Sequence, residues 1–383
     1  MILIKNGYIN TMEGIIYQNG YIIIEKSKIK QVGDMADLTA ADDEFDKVYD
    51  AKGLYVMPGL VDGHSHIGMQ EDSLGFEGDD LNEGTDPITP HLRAIDAINP
   101  YDRSFEEGLE AGITTSVTGP GSANPIGGQF AAVKMYGTCV DDMIIKAPVA
   151  VKAAFGENTK RTYNERDVMP STRMGAAALI REALFKAKRY MEKNDEFDMK
   201  SEALIPVLKK EIPLKVHAHR LDDIATAIRI AKEFDINITL DHATEGHLDP
   251  ELIKKSGAPV FVGPIICDRS KPELKNRDDK AAATFEKNGI SPAIITDHPE
   301  IPCQYIAVQA AIAVKNGMSV QAALEAITIV PAKGCGIDDR VGSLKSGKDA
   351  DIAIFTAVPT DIMSKAVYVF IDGKCVICRS KNG

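Results

Sequence analysis

No stretch of the 383-residue chain approaches the ~20 consecutive apolar residues that a membrane-spanning helix needs. The N-terminal Met1-Ile2-Leu3-Ile4-Lys5-Asn6-Gly7 has no basic region ahead of an apolar run, so no signal peptide is expected. Lys/Arg blocks of the kind that mark a nucleic-acid-binding face are also missing, and the net charge is −12. The acidic balance favours solubility and small-molecule partners over nucleic acid or membrane. The six cysteines, at 139, 267, 303, 335, 375 and 378, are scattered. Only Cys375 and Cys378 form a C-x-x-C, and no second pair completes a zinc site. Both lie in an apolar strand-like run and are expected to be buried thiols. A chain this long needs no disulfides, so a reducing, cytoplasmic setting is expected.

What is present is ordinary globular composition, 44% hydrophobic and 26% charged. Both ends read as short strands and turns. Asn6-Gly7 and Asn19-Gly20 stand between apolar runs as hairpin signals, and Asp372-Gly373 joins residues 366–371 to Cys375-Val376-Ile377. Between them strand-like and helix-like stretches alternate. Strands are predicted at 54–61, 113–117, 129–135, 147–152, 214–217, 236–240, 259–262 and 293–295. Helices are predicted over 103–111, stopped by Gly112, over 173–191 and over 222–234. The charged stretch 189–200 reads as a solvated helix end or loop. Eight β-α units between about residues 55 and 335 predict an α/β fold, a (β/α)8 TIM barrel. A small β-sandwich domain built from both termini, residues 1–54 plus 338–383, would flank a barrel domain over 55–337.

Histidines are few, eight in all, and four of them end predicted strands. In Asp62-Gly63-His64-Ser65-His66 the two imidazoles are one residue apart. Alternate side chains of a strand share a face, so both can point into a barrel and bind one cation such as zinc. His217 ends the fifth strand, His242 the sixth and Asp297 the eighth. In a TIM barrel those strand ends surround one pocket. Burying such polar groups without partners would cost about 2–7 kcal/mol each, which argues against simple core packing. His219, Arg220 and Gln129 are candidates for substrate contact. His219 alternates with His217, Arg220 could clamp a carboxylate, and Gln129 follows a Gly-Gly pair. His298 is expected to support its neighbours, and His91 and His247 to be loop residues. Gly342 to Lys348 has phosphate-loop spacing, but Asp349 stands where Ser or Thr should, and a strand follows instead of a helix.

The run Met57-Pro58-Gly59-Leu60-Val61-Asp62-Gly63-His64-Ser65-His66, with His217, His242, Asp297 and the segment from Gly342 to Ile352, resembles the amidohydrolase superfamily. Within it, the pattern is similar to imidazolonepropionase and the related metallo-dipeptidases. The resemblance implies that His64 and His66 bind one metal and that His217 and His242 bind a second in two-metal members. It further implies that Asp297 ligates the first metal and acts as general base. Lys152 would bridge the two as a carboxylated lysine. Without that bridge, a one-metal site of His64, His66, His217 and Asp297 is implied. Zinc is the expected ion, one or two per chain, with iron or manganese as alternatives. The expected reaction is hydrolysis of a linear or cyclic amide bond in a small molecule, and a homo-oligomer fits the family. Two alternatives stand beside it. One is a heterocycle deaminase, a class that usually carries His-x-x-Glu where this chain has His217-Ala218-His219-Arg220. The other is a non-catalytic scaffold relative, a class that typically loses the ligands kept here.

Overall fold

The computed structural model describes residues 1–71, 74–193 and 196–379. Residues 194–195 of the charged stretch and the last four of the chain lie outside that description. The strands in chain order are β1 (Ile2–Asn10), β2 (Ile16–Glu25), β3 (Lys28–Asp34), β4 (Lys47–Asp50), β5 (Tyr55–Pro58), β6 (Leu60–Ser65), β7 (Ile113–Thr118), β8 (Ile126–Lys134), β9 (Ile144–Ala154), β10 (Leu214–Ala218), β11 (Ile238–His242), β12 (Val260–Val262), β13 (Ala293–Ile294), β14 (Ile352–Phe355), β15 (Ala366–Ile371) and β16 (Lys374–Cys378). They form two eight-stranded sheets.

The first sheet takes strands from both ends of the chain, in the order β16-β15-β14-β5-β1-β2-β3, with β4 paired to β1. The single strand expected over 54–61 is two strands. Tyr55–Pro58 pairs antiparallel with β14, and after Gly59 the chain enters the barrel as β6. A Cβ at Gly59 would fall 2.1 Å from the Thr114 hydroxyl, so glycine here leaves the room that the Thr114 side chain occupies. Asp372-Gly373 is the hairpin turn it was expected to be. Asn6-Gly7 and Asn19-Gly20 are not turns. They lie inside β1 and β2, where the β1–β2 register shifts between Ile4 and Gly7. Cys375 is half-buried and Cys378 exposed, against the buried-thiol expectation, because β16 is an edge strand.

The second sheet is a nearly closed barrel, in the order β6-β7-β8-β9-β10-β11-β12-β13. Backbone bonds just past β13 bring its ends together, from Asp297 N–H to the His64 carbonyl (3.1 Å) and from His66 N–H to that of His298 (2.8 Å). Helices Arg173–Lys193 and Leu221–Phe234 pack outside through Ile180, Leu184, Ile224 and Ile228, all buried. One strand departs from the eight uniform units read in the sequence: β8 runs antiparallel to both neighbours. Only residues 119–125 separate it from β7, and a parallel return needs a crossover of about a dozen residues or more. The reversal puts the β7–β8 loop at the same end as the C-termini of the parallel strands. Among the described residues no helix is long and apolar enough to cross a membrane.

Candidate active site

Alternation along the strands aims one set of side chains inward. On β6 and just past it this set is Asp62, His64 and His66; on β9 it includes Lys152; from β10 onward it is Lys215, His217 and His219. All seven are buried. On β11 alternation alone would put Asp241 and His242 on opposite faces. His242 has φ of 67°, and this left-handed turn, costing a non-glycine residue about 1–2 kcal/mol, lets both reach the interior. Asp297, just past β13, has φ of 54°. Left-handed backbone at both positions is local strain held by the surrounding barrel.

The inward side chains form two adjacent groups. His64, His66 and Asp297 have one ligand-type atom each within 4.8 Å of one another, and so do His217, His219 and His242. Asp297 Oδ1 is 3.2 Å from Nε2 of both His64 and His66. The His242 ring lies 5.4 Å from that of His64 and 4.5 Å from that of His217, linking the groups. Nδ1 of His66 donates to the Gly119 carbonyl (2.6 Å), and Nδ1 of His242 to that of Gly263 (2.8 Å). With Nδ1 committed to a carbonyl, Nε2 is the nitrogen of each ring left to face a ligand. His219 Nδ1 pairs with the Thr244 hydroxyl at 2.7 Å.

Below these groups lies a charged plug that the sequence did not single out. Asp241 Oδ1 accepts from Lys215 Nζ at 2.9 Å, and its Oδ2 is 3.2 Å from His64 Nδ1 and 3.7 Å from Lys152 Nζ. Lys215 also sits over the Phe261 ring, 3.9 Å from its centroid. Asp62 accepts the Thr296 hydroxyl and N–H, tying β6 to the segment after β13.

Burial, followed by the charge of Lys152, lowers the His64 pKa to about 4. Burial also lowers His242, and takes His217 and His219 well below their ordinary value, so all four rings are neutral at pH 7. Burial opposes ionisation of Asp297, but the surrounding His242, His64 and His66 outweigh it and hold the carboxyl well below its usual range. Burial brings the Lys152 amine down to about 8. Neutral imidazoles and an ionised carboxylate are the protonation states that cation ligands require. His217 Nε2 is buried without a hydrogen-bond partner, as expected of a donor kept for a cation, whereas His64 Nδ1 and Asp241 Oδ2 face one another at 3.2 Å.

The groups open into a cavity of about 480 Å³ lined by His66, Lys152, His217, His219, His242 and Asp297. The β7–β8 loop and the segment after β12 form its walls. Two of the expected substrate contacts lie elsewhere. Arg220 makes a bidentate ion pair with Asp222 at 2.9 and 2.8 Å, and Gln129 donates to the Pro90 carbonyl at 3.2 Å; neither is among the cavity-lining residues. His298 is buried and accepts the Cys303 N–H (3.2 Å), while the half-buried His247 donates to the Thr244 carbonyl (2.9 Å).

This barrel and its terminal sheet match a known family. The model of the Amidohydrolase family covers residues 55–376. A crystal structure of an amidohydrolase from Thermotoga maritima MSB8 superposes with a TM-score of 0.94 at 40% identity, over 99% of this chain and 100% of that one. Amidohydrolase tasK of Hapsidospora irregularis is 29% identical over 389 residues, which is 92% of this chain and 39% of that protein, so this chain spans well under half of that relative. Imidazolonepropionase of Picrophilus torridus is 26% identical over 385 residues, 93% of each. The chain belongs to the amidohydrolase family and is a hydrolase acting on carbon–nitrogen bonds.

Proposed function

We propose that the chain hydrolyses an amide or cyclic amide bond of a small molecule with the help of one or two divalent ions. In this reading His64, His66 and Asp297 hold one ion and His217 and His242 a second, with Lys152 as a carboxylated bridge. Zinc suits the imidazole-rich donors, and iron or manganese remain alternatives. The observation that carries the reading is the pair of adjacent buried groups facing one cavity, with the far nitrogens of His66 and His242 anchored on carbonyls.

A bound ion would supply Lewis acidity toward a carbonyl and would acidify water. The chain's residues supply the rest. Asp297, ionised at the cavity floor, accepts the proton of the attacking water and passes it to the leaving nitrogen. The barrel walls hold the scissile bond and limit solvent. Lys152, largely deprotonated above about pH 8, is in the form that adds carbon dioxide. The same reading divides the chain into a terminal β-domain, residues 1–54 plus 338–383, and a barrel domain over 55–337. It takes the enzyme to be a cytoplasmic homo-oligomer without nucleic-acid or membrane partners, supported by six free thiols and the net charge of −12.

Elemental analysis of the purified protein, beside 13C spectroscopy after loading in labelled bicarbonate, tests the site. Two equivalents of metal and a carbamate signal are expected. One equivalent with an unmodified lysine would reject the bridged two-ion site.

A further inference from the structure

The segment after β12 brings an anchored cation to the cavity. Glu273 lies there in the short turn Pro272–Leu274 and is 1% exposed. Its Oε2 accepts the Glu157 N–H at 3.1 Å, and the Glu157 carboxylate accepts the Glu273 N–H at 3.3 Å. This reciprocal pair ties the segment to the helix Glu157–Asn164 that follows β9, and it fixes the direction of the Glu273 carboxylate. The other oxygen, Oε1, faces the Lys271 ammonium at 3.3 Å, on a side chain that is 25% exposed and lines the cavity. An ammonium carries three donors, and Glu273 is the one carboxylate in ion-pair reach of Lys271 among the described residues. Donors therefore remain for a second anion. Oε1 also stands 3.6 Å from Nε2 of His219 and 3.9 Å from Nε2 of His217. The ammonium is thus at most about 7 Å from either imidazole nitrogen.

The helix Glu157–Asn164 turns one face to the same cavity, through Asn158, Arg161 and Thr162. Those positions are three and four residues apart, the spacing of a single helical stripe. Asn158 donates to the Ser122 hydroxyl at 2.8 Å, and Thr162 to the Asn158 carbonyl at 2.9 Å. Arg161 is exposed and forms no ion pair among the described residues. Arg277, also on the wall, is already committed to Asp279 at 2.6 Å and to the Ile265 carbonyl. Lys271 and Arg161 are therefore the wall cations with donors left for an incoming anion. In an amide whose leaving amine is an amino acid, the free carboxylate stands three bonds of ~1.3–1.5 Å each from the scissile carbonyl carbon. A carbonyl held at the histidine groups brings that carboxylate into the span between His217, His219 and Lys271.

We infer that Lys271 and Arg161 receive a carboxylate of the substrate, which makes the substrate an amide of an amino acid, either an N-acyl amino acid or a dipeptide, and not a neutral amide or ring. The inference rests on the hydrolytic reading above and names its substrate class. Both residues set specificity: they contact the carboxylate and leave the scissile carbonyl to the histidine groups. Glu273 holds the ammonium of Lys271 in place from inside the wall.

The test compares, on metal-loaded wild-type protein, a panel of N-acetyl amino acids and dipeptides with the same compounds blocked as C-terminal amides, beside neutral cyclic amides. The free acids should be cleaved with kcat/KM at least ~10-fold above their blocked forms, the effect of one hydrogen bond to a charged group. Lys271→Met and Arg161→Met should each shrink that preference, with the loss falling on the KM of the acid, and Lys271→Arg should restore part of it. Equal cleavage of acid and blocked amide by wild type, cleavage of neutral compounds only, or an undiminished preference in both Met variants overturns the inference and leaves the hydrolytic reading standing. The wild-type comparison needs no variant to fold. Cleavage of no compound in the panel by loaded wild type overturns that reading and this inference together.

Discussion

Nζ of Lys152 stands 3.5 Å from Nε2 of His64, and both side chains are closed off from solvent. Burial of the ammonium is the main cause of its lowered pKa, about 8, with Asp241 and Asp297 opposing. The sign follows directly: the amine is largely cationic below pH 8 and largely neutral above it. Only the neutral amine adds carbon dioxide. Reactivation of metal-stripped protein by zinc in bicarbonate should therefore accelerate as pH rises through about 8. A rate independent of both bicarbonate and pH would remove Lys152 from the site.

Asp297 is the proposed base. Asp297→Asn keeps the shape of the side chain and loses its basicity. Turnover should fall by ~10²-fold or more, with a melting temperature close to wild type. Near-normal turnover in a folded, metal-loaded variant would end this assignment.

Asp241 orients His64 from below, through a 3.2 Å approach to Nδ1. Asp241→Asn should weaken metal binding at the His64 group by about 10–100-fold, the usual effect of removing an outer partner of a ligand. Chelator competition with cobalt or zinc reads this directly, and unchanged affinity would mean that Asp241 only neutralises Lys215.

Lys134 on β8 reaches across to the terminal sheet, where its Nζ lies 2.8 Å from Asp349 and 2.6 Å from Asp351. All three side chains are buried. Asp349 is also paired with Lys28 and Arg340, so Lys134→Met leaves Asp351 as the buried carboxylate without a cation and should cost about 3–5 kcal/mol. Urea unfolding measures it, and a loss below ~1 kcal/mol would place this cluster among pairs that contribute little.

Much of the fold and the candidate site was legible in the sequence because strand alternation and strand ends are local signals. His64, His66, His217, His242 and Asp297 were all found as polar residues ending apolar runs; the structure brings four of them to one cavity and sets His64 directly behind, against His66 and Asp297. The reversed β8 was legible in principle, since residues 119–125 are too few for a helical crossover. Lys215 also had a signal, lying two residues before His217 on one strand face. Asp241 was hidden because alternation puts it opposite His242, and only the φ of 67° brings both inside. The wall formed by the long segment after β12 had no local signal, because that segment is held against the helix after β9 by the reciprocal contacts of Glu273 and Glu157. Arg220 and Gln129 were misplaced for a related reason: proximity in sequence to an inward residue does not settle which way a side chain turns once Asp222 or the Pro90 carbonyl offers a partner.

The most direct test of the account is hydrolysis by metal-loaded and metal-stripped protein across a panel of N-acyl amino acids, dipeptides and cyclic amides, followed by release of free amine. At least one substrate should be cleaved by the loaded protein, not by the stripped one, and again after zinc is restored. Equal cleavage by stripped protein with no detectable ion would contradict the account.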